Sequence, residues 1–526
     1  MRILALHTLG HDAGLAWFEH GRLVYSMEAE RETRRRFEPY CDAALDALER
    51  DTGLTPADAD LIAVSTNIRN SLVGIPDLAE VYRRIQQGAL AVETTCEVRG
   101  SARPCLVVAH EASHAALAAH WLPGGDPALI LVNEGRGTFS RNALFYAAGG
   151  RMELRRHDLL PWYATGFGWS ALGELMGFGS APGAAGTLMA MGGYGAPDET
   201  VMDALRAVPD SVLSAPLGEQ REIGAALAQR LGGLDAFAAK ARVVASLQKL
   251  FTDTIVSVVT DALAGETGAR LALGGGCALN IPTNTELRQR LAADVAVPPA
   301  CNDAGQALGA GIYASRFHFG EGAAPIDVYS NGIAEPEAAI VATAERRGWQ
   351  VRPYDRDRAA DDLAAGGIIA WIDGAAEIGP RALGARSLLG SANHQGMRKR
   401  MSEGVKARHW FRPLAPVVRE ETFERLFPGQ ASSPHMLHSY RAAALDAPEA
   451  LHVDGSARIQ TLSRHARPEL WHLLERYEGI GGGNCLINTS LNGPGRPIAQ
   501  RLDHALDDLE ASEVALVVCN GLALSR

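Results

Sequence analysis

His110 and His114 stand four positions apart, a spacing that would suit the binding of one metal ion. They stand at the start of an alanine-rich stretch that follows a short apolar run, which predicts a strand leading into a helix. Residues i and i+4 of a helix project from one face, so both imidazoles can reach a single metal ion. The alternative is two unrelated histidines on an amphipathic helix, and the spacing alone leaves both interpretations open.

Two further segments place polar side chains at the ends of predicted elements. The apolar run 128–132 predicts a buried strand, and it ends at Asn133 and Glu134 before a glycine-rich turn that could bring backbone N–H groups to an anion. Asp303 stands where the loop 298–302 meets a predicted helix. Its carboxylate either caps that helix or completes a histidine metal site.

A glycine triplet, Gly274–Gly276, separates the predicted strand 271–273 from a helix that begins near Asn280. Because glycine has no side chain, a nucleotide can approach the backbone there, and the N-terminus of a helix favours its phosphate. After a strand and before a helix, this pattern indicates a nucleotide site more strongly than a glycine triplet elsewhere.

The second half of the chain carries basic residues beside glycine, proline or small residues, with serine and asparagine donors nearby. Any one of them could be a solvated surface cation. Taken as clusters they favour a polyanion site, because a guanidinium group grips phosphate with two parallel hydrogen bonds. The basic residues are Arg381, Arg386, Lys406, Arg408, Arg412 and Arg458, and the donors lie within 488–492.

Composition and net charge limit the classes of function that the chain could have. The formal net charge of -11 gives no electrostatic surface for wrapping nucleic acid, although a local basic groove is compatible with it. The seven cysteines are scattered without a CxxC pair, which favours a reducing compartment and argues against a zinc ribbon. The first residues predict a strand rather than a signal peptide, and no apolar run approaches membrane-spanning length. We expect a cytoplasmic protein without a membrane partner, and a homodimer is left open.

The order of predicted elements indicates an α/β protein of two domains. A polar turn at 8–12 between strands suits a phosphate- or substrate-facing loop, as in actin-like ATPase folds, although simple hairpins look the same. The charge-dense run 28–36 is typical of a solvated face, and 219–264 is expected to be helical. A shift to glycine, proline and small polar residues at 320–337 predicts the boundary between domains 1–335 and 336–526.

Together these motifs resemble the antibiotic and nodulation O-carbamoyltransferases, which join an actin-like (ASKHA, TsaD-like) ATPase-fold domain to a YrdC-like α/β domain. The resemblance covers nearly the whole chain, and its motifs come in the family's order. They are Gly10-His11-Asp12-Ala13, His110 with His114, Gly274-Gly275-Gly276 with Asn280, Asp303-Ala304-Gly305, Gly379-Pro380-Arg381-Ala382-Leu383-Gly384, the Lys406, Arg408 and Arg412 block, His452-Val453-Asp454-Gly455, and Asn488-Thr489-Ser490 with Asn492.

The resemblance implies a two-step enzyme. The YrdC-like domain would bind carbamoyl phosphate and Mg-ATP and make carbamoyl adenylate, releasing phosphate and pyrophosphate. The adenylate would pass internally to the actin-like domain, which holds a divalent metal, Fe²⁺ in the family. There the hydroxyl of a small natural product or sugar would attack the carbamoyl carbon, and AMP would leave.

The resemblance also implies roles for individual residues. The carbamoyl phosphate and ATP ligands would be Arg381, Lys406, Arg408, Arg412, Arg458, Asn488, Ser490 and Asn492. The nucleotide in the actin-like domain would contact Gly274, Gly275, Gly276 and Asn280. The metal ligands would be His110, His114, Asp303 and Asn133. His11 and Asp12 would lie near the acceptor hydroxyl, where either could act as the base.

Three departures from the family bear on the metal and the acceptor. The family has aspartate at the position of Asn133, and an uncharged amide oxygen should bind a metal more weakly. Glu134 is adjacent, but a shift of one residue on a strand points to the other face. The stretch 184–187 lacks the family's carboxylate and amine, and Pro494 and Arg496 replace arginine and glutamate.

Two other functions stay open on the sequence. One is a relative that acts on tRNA through a threonylcarbamoyl adenylate, which the acidic charge disfavours. The other is a non-catalytic nucleotide switch or chaperone ATPase of the actin-like class, in which the cationic clusters of the second domain would have no purpose.

Overall fold

The structure, a computed structural model, describes residues 1–8, 10–66, 74–122, 127–179, 183–208, 228–229, 231, 233–266, 268–291 and 293–526. Within these ranges the chain is an α/β protein with three large sheets and one two-stranded ribbon. Most of the segment 219–236, expected to be helical, lies outside the described residues.

The first sheet has six strands in the order β3-β2-β1-β4-β6-β5. Its strands are β1 (Arg2–Thr8), β2 (Gly14–Glu19), β3 (Arg22–Glu28), β4 (Leu61–Thr66), β5 (Ala91–Val98) and β6 (Ser101–Val108). Strand β1 runs antiparallel to β2 and parallel to β4, and β4 runs parallel to β6. Parallel pairs need crossover connections, which is why helices cover the faces and the central strands are apolar on both sides.

The second sheet has five strands in the order β11-β10-β7-β8-β9. They are β7 (Ala128–Asn133), β8 (Asn142–Ala148), β9 (Arg151–His157), β10 (Arg270–Gly274) and β11 (Val295–Ala296). Strand β7 has an antiparallel meander on one side and parallel strands on the other. The central strand, its meander and its parallel neighbours therefore repeat the arrangement of the first sheet.

Ten helices of the described residues accompany these two sheets. They are α1 (Ala29–Thr33), α2 (Asp42–Thr52), α3 (Leu78–Gln86), α4 (His110–His120), α5 (Gly166–Leu175), α6 (Ala185–Gly192), α7 (Glu199–Arg206), α8 (Phe237–Ala264), α9 (Ile281–Leu291) and α10 (Gln306–Ile312). Helix α4 is buried from His110 to Ala119 because its small side chains let neighbours approach. A side chain at Gly309 on α10 would collide with the backbone of Ser113.

The expectation that no segment has membrane-spanning length needs correction. Helix α8 is long and apolar enough to cross a membrane by length and composition. However, 56% of its most apolar window is buried, and side chains such as Leu247 and Phe251 pack into the core beside the second sheet. A buried core helix passes the same test.

The third sheet is built by the last third of the chain, in the order β12-β21-β20-β13-β14-β19-β15-β18. The strands here are β12 (Gln350–Pro353), β13 (Ile368–Ile372), β14 (Arg386–Ser391), β15 (Ala415–Arg419), β16 (Tyr440–Arg441), β17 (Ser456–Ala457), β18 (Gln460–Leu462), β19 (Leu486–Ser490), β20 (Leu516–Cys519) and β21 (Leu522–Ser525). Strands β16 and β17 form the ribbon. The helices are α11 (Glu337–Arg346), α12 (Arg356–Ala364), α13 (Glu420–Leu426), α14 (Pro468–Gly479) and α15 (Leu502–Leu509).

The charge-dense run 28–36 is not the solvated face that its composition indicates. Arg31 is fully buried, and its Nη2 donates to the backbone oxygens of Glu377 (3.1 Å) and Gly379 (2.8 Å). Its Nε donates to Glu28 Oε2 at 3.1 Å, and Glu28 Oε1 accepts from the Gly379 N–H at 2.6 Å. The run therefore fastens the first sheet to the C-terminal part of the chain.

Candidate active site

Four side chains converge where three elements meet. His110 and His114 come from the start of α4, Glu134 follows β7, and Asp303 precedes α10; one ligand atom of each lies within 4.8 Å of the others. Both imidazole Nε2 atoms approach Asp303 Oδ1, at 3.4 Å from His110 and 3.3 Å from His114. His114 Nε2 is 3.2 Å from His110 Nε2 and 2.9 Å from Glu134 Oε1. We call these four residues the histidine–carboxylate group.

The histidine–carboxylate group fits a metal ion. Ligand atoms that lie 2.0–2.2 Å from one metal are separated by about 2.8–3.6 Å when the angles between bonds are 90–109°, and the four distances above fall in this range. Asp303 Oδ1 is buried and accepts no hydrogen bond. Imidazole nitrogens with carboxylate oxygens suit divalent ions such as iron, zinc or manganese.

The negative charge of the histidine–carboxylate group also favours a bound cation. Burial by itself lowers the pKa of His114, but the carboxylates of Glu134 and Asp303 outweigh it and raise that pKa to about 9. The same balance, with burial again opposed by Asp303 and also by Asp12, raises the pKa of His11 to about 10. A bound cation would offset the negative charge that produces both shifts.

Asn133, implied as a metal ligand by the resemblance, uses only one of its side-chain polar atoms within the fold. Its Nδ2 donates to the Ala164 carbonyl at 2.9 Å, and its Oδ1 is buried and accepts no hydrogen bond. Glu134 joins the histidines because the strand ends there: β7 ends at Asn133, and the Glu134 carboxylate turns to accept from the Gly276 N–H. The alternation of strand side chains, which pointed Glu134 to the other face, does not apply beyond the last strand residue.

His11 and Asp12 lie beside the group. His11 Nε2 is 3.7 Å from Asp303 Oδ2, and His11 Nδ1 is 3.2 Å from Asp12 Oδ2. Asp12 also accepts from Asn302 Nδ2 at 3.0 Å and has a φ of 60°, a backbone conformation that non-glycine residues rarely adopt and that is common at functional sites. The structure thus orients the His11 ring through Asp12.

His7 is a neighbour of the group that the sequence motifs did not single out. Its Nε2 is 3.8 Å from Asp303 Oδ2, and its Nδ1 lies 3.0 Å from the Ser65 carbonyl. Burial lowers the pKa of His7 to about 4, so the ring is neutral. Its position at the end of a buried strand, just before the Gly10-His11-Asp12 turn, was the available signal.

The glycine triplet allows close packing of neighbouring backbone as well as access from the cavity. A side chain at Gly274 would press on the His114 backbone, and one at Gly275, which has a φ of 88°, would collide with the Asn133 backbone. Only Gly276 of the three lines the central cavity. Asn280 also lines it, and its amide exchanges two hydrogen bonds with Gln248, at 3.0 and 3.1 Å.

Most of the cations predicted in the C-terminal part of the chain gather in one place. Lys406 Nζ donates to Ser490 Oγ (2.9 Å) and Asn492 Oδ1 (2.5 Å), and Arg408 Nη2 is 3.5 Å from Ser490 Oγ. The set that lines this part of the cavity is Arg36, Arg381, Lys406, Arg408, Arg412 and Arg458, which we call the cationic pocket. Arg36 comes from the run 28–36 and was not anticipated.

The cationic pocket is short of negative charge. Among the described residues none of its six members forms an ion pair with a carboxylate. Burial, together with neighbouring Arg412 and Arg36, lowers the pKa of Arg408 to about 9, and burial lowers that of Arg381 to about 10. Guanidinium groups remain charged in proteins, so both directions express first the cost of burying the charge and then repulsion from neighbouring cations, which a bound polyanion would offset.

Two other predicted residues differ in their access to the cavity: Asn488 lines it and Arg386 does not. Asn488 Nδ2 donates to Gln460 Oε1 at 2.6 Å, and its Oδ1, although buried, accepts no hydrogen bond. Arg386, grouped with the polyanion-binding cations in the sequence, is fully buried and donates to the backbone oxygens of Gln500 and Gly374. Its guanidinium is therefore used inside the fold.

One continuous cavity of about 1980 Å³ connects the two regions. His11, Glu134 and Asp303 line it at one end, and the cationic pocket lines it at the other.

Models of one protein family match both halves of the chain. The model described as Carbamoyltransferase N-terminus matches residues 78–312, and the model described as Carbamoyltransferase C-terminus matches residues 360–526. The chain belongs to the carbamoyltransferase family. It is an enzyme of the transferase class.

Relatives of this carbamoyltransferase match nearly its full length. The 3'-hydroxymethylcephem-O-carbamoyltransferase of Amycolatopsis lactamdurans is 31% identical over 94% of this chain and 93% of its own. Nodulation protein U of Sinorhizobium fredii (strain NBRC 101917 / NGR234) is 30% identical over 99% of this chain and 98% of its own. The resemblance to the antibiotic and nodulation carbamoyltransferases is confirmed.

Solved structures are more distant. Component A of the (R)-2-hydroxyglutaryl-CoA dehydratase of Acidaminococcus fermentans aligns with 60% of this chain and 97% of its own, at 12% identity and a TM-score of 0.37. That likeness is too low to support an argument, so the α/β architecture stands on the strand order described above.

Proposed function

We propose that the protein is an ATP-dependent O-carbamoyltransferase with two reaction centres. Carbamoyl phosphate, ATP and water would give carbamoyl adenylate, phosphate and pyrophosphate in the cationic pocket. The adenylate and an acceptor hydroxyl would then give the O-carbamate and AMP at the histidine–carboxylate group. The observation that carries this proposal is the continuous cavity that joins an unpaired set of cations to a buried histidine–carboxylate group.

In the first step the protein would have to neutralise the negative charge of two phosphate-bearing substrates. ATP and carbamoyl phosphate bring several phosphate charges into one pocket, and Lys406, Arg408 and Arg412 would neutralise them there. Ser490 and Asn492, already bonded to Lys406 Nζ, hold that ammonium in place. Arg381 and Arg458 would complete the pocket, and Asn488 offers an unpaired oxygen.

The second step needs the carbamoyl adenylate held next to an acceptor hydroxyl. His110, His114, Glu134 and Asp303 would hold a divalent metal, for which the family resemblance suggests Fe²⁺, and such an ion acts as a Lewis acid on a carbonyl or phosphate oxygen. His11 lines the cavity. Once a bound cation offsets the carboxylate charge that raises the pKa of His11, its neutral ring would accept the hydroxyl proton, while Asp12 fixes the orientation of that ring. Asn280 and Gly276 would contact the nucleotide from the cavity wall.

The domain assignment follows the same division. We assign the repeated sheets of residues 1–335 to an actin-like domain, of the kind that the tRNA threonylcarbamoyl transferases have, and residues 336–526 to a YrdC-like domain. The acceptor would be a small hydroxylated natural product or sugar. In support, the 3'-hydroxymethylcephem-O-carbamoyltransferases of two organisms match more than nine-tenths of this chain.

Incubation of the purified protein with Mg-ATP and carbamoyl phosphate tests the proposal. We expect pyrophosphate to form, together with carbamoyl adenylate that water hydrolyses to carbamate and AMP when no acceptor is present, and we expect these products to require carbamoyl phosphate. ADP as the sole nucleotide product would contradict the proposal and would favour a nucleotide switch of the actin-like class. AMP and pyrophosphate in the absence of carbamoyl phosphate would also contradict it.

A further inference from the structure

Two arginines that the steps above do not use, Arg136 and Arg141, line the cavity next to the histidine–carboxylate group. Arg136 is two residues beyond Glu134, on the turn that follows β7. Arg141 lies directly across from Glu134, whose N–H donates to the Arg141 carbonyl at 2.7 Å. Arg136 is exposed, so this wall of the cavity is reached from solvent.

The turn that carries Arg136 is tied to the helix that carries the two histidines. Glu111 of α4 is fully buried, and its Oε1 accepts from the N–H groups of Phe139 (3.0 Å) and Ser140 (2.9 Å). Gly137 lies so close to that carboxylate that a side chain there would collide with it. The turn and the histidine–carboxylate group therefore keep a defined separation.

Neither arginine has a carboxylate partner among the described residues. The Arg141 guanidinium lies 6.0 Å from the centre of the Phe167 ring, a contact that orients it and leaves its N–H groups available. Phe167 itself follows Gly166, whose N–H donates to the Glu134 carbonyl at 3.1 Å. Two guanidinium forks and an aromatic ring thus stand beside one reaction centre, at its solvent side.

We propose that Arg136 and Arg141 are specificity residues that bind an anionic group of the acceptor, so that the substrate class is a hydroxylated molecule with a carboxylate. The inference rests on the proposed function and adds the acceptor's charge to it. A guanidinium fork matches a carboxylate with two parallel hydrogen bonds. The acceptor's apolar body would lie on Phe167, and its hydroxyl would face His11.

The same anion chemistry could come from the phosphate of the adenylate. That phosphate is present whether or not an acceptor is bound, whereas a carboxylate on the acceptor matters only for acceptor binding. The two sources therefore separate in a binding experiment and in a turnover experiment without acceptor.

Calorimetric titration of the metal-loaded protein with 3-(hydroxymethyl)benzoate and with its methyl ester, in the presence of AMP, tests the inference. The two probes have the same hydroxymethyl group and ring and differ in charge. We expect the acid to bind at least about tenfold more tightly than the ester. In Arg136→Ala/Arg141→Ala the acid should bind like the ester. Equal affinities for the wild-type protein, including no binding of either probe, would overturn the inference.

The control variant is Arg151→Ala/Arg156→Ala. It removes the same charge from exposed positions on β9, outside the cavity, and should keep the preference for the acid. Without acceptor, AMP forms when water hydrolyses the carbamoyl adenylate made from ATP and carbamoyl phosphate, and the rate of this AMP formation should be unchanged in both double variants. A tenfold loss of that activity in Arg136→Ala/Arg141→Ala would assign the arginines to the adenylate phosphate instead. Equal probe affinities with AMP formation intact would overturn this inference and leave the proposed function standing.

Discussion

Replacing Asn133 by aspartate separates the two assignments of the carboxylate that follows β7. If position 133 supplied a metal ligand, Asn133→Asp would restore a charged ligand and tighten metal binding. In the structure the Asn133 Nδ2 donates to the Ala164 carbonyl at 2.9 Å, and the residue is 3% exposed. The substitution would remove that donor and place a carboxylate oxygen against a carbonyl oxygen.

The expected loss of stability in Asn133→Asp follows from that geometry. A buried polar group left without its partner costs about 1–3 kcal/mol, and more when it is charged. At about 2–4 °C per kcal/mol, the melting temperature of Asn133→Asp should fall by about 2–12 °C or more. Metal affinity should change by less than about tenfold, because Glu134 already supplies a carboxylate beside the two histidines.

Differential scanning calorimetry of the apoprotein and a metal titration followed by calorimetry measure both quantities. Asn142→Asp is the matched control: Asn142 pairs with Asn133 across β7 and β8, and its Oδ1 accepts from the Leu159 and Leu160 N–H groups at 2.6 and 3.1 Å. An aspartate keeps that acceptor, so little change is expected. Metal binding at least tenfold tighter in Asn133→Asp, without loss of stability, would refute the assignment of Glu134.

Further predictions concern both reaction centres and the contact between domains. Glu134→Gln should lower the bound metal, measured by mass spectrometry after dialysis, and spare pyrophosphate formation. His114→Ala should likewise spare pyrophosphate formation and stop transfer to the acceptor; an equal loss of both activities would contradict the division of labour. Arg408→Ala should reduce pyrophosphate formation by at least about tenfold, whereas Arg425→Ala, an exposed arginine on α13, should not. Arg31→Ala should destabilise the fold by about 3–5 kcal/mol in denaturant titrations, because it leaves the buried Glu28 unpaired; wild-type stability would contradict that.

The metal interpretation began with a spacing, and helix geometry explains why it could be predicted. His110 and His114 share a face whatever surrounds α4. A carboxylate at the start of a helix, such as Asp303, is equally local information. Hydrophobic periodicity did not show where β7 ends. Where the chain turns, the alternation of strand side chains no longer gives the direction of the next side chain. The structure therefore brings Glu134 to the histidines, although the alternation of strand side chains pointed it to the other face.

The cationic clusters were visible in the sequence because guanidinium groups beside glycine and proline, in an acidic chain, are unusual. The sequence did not show which of these cations line the cavity and which are buried inside the fold. Arg386 and Arg408 look alike as residues, but Arg386 is buried against backbone carbonyls while Arg408 lines the cavity. Arg36 and Arg31 lie in one charged run, yet one joins the cationic pocket and the other fastens the domains.

The sequence by itself determined the residue types, the helical spacing of the two histidines and the α/β class, since each depends on neighbours along the chain. Only the tertiary structure decided that Glu134 joins the histidines, which cations face the cavity, and that one cavity is lined both by the cationic pocket and by Glu134 and Asp303. Those outcomes depend on residues far apart in sequence, such as Glu134 and Gly276 or Arg31 and Gly379, whose contacts exist only once the sheets have packed.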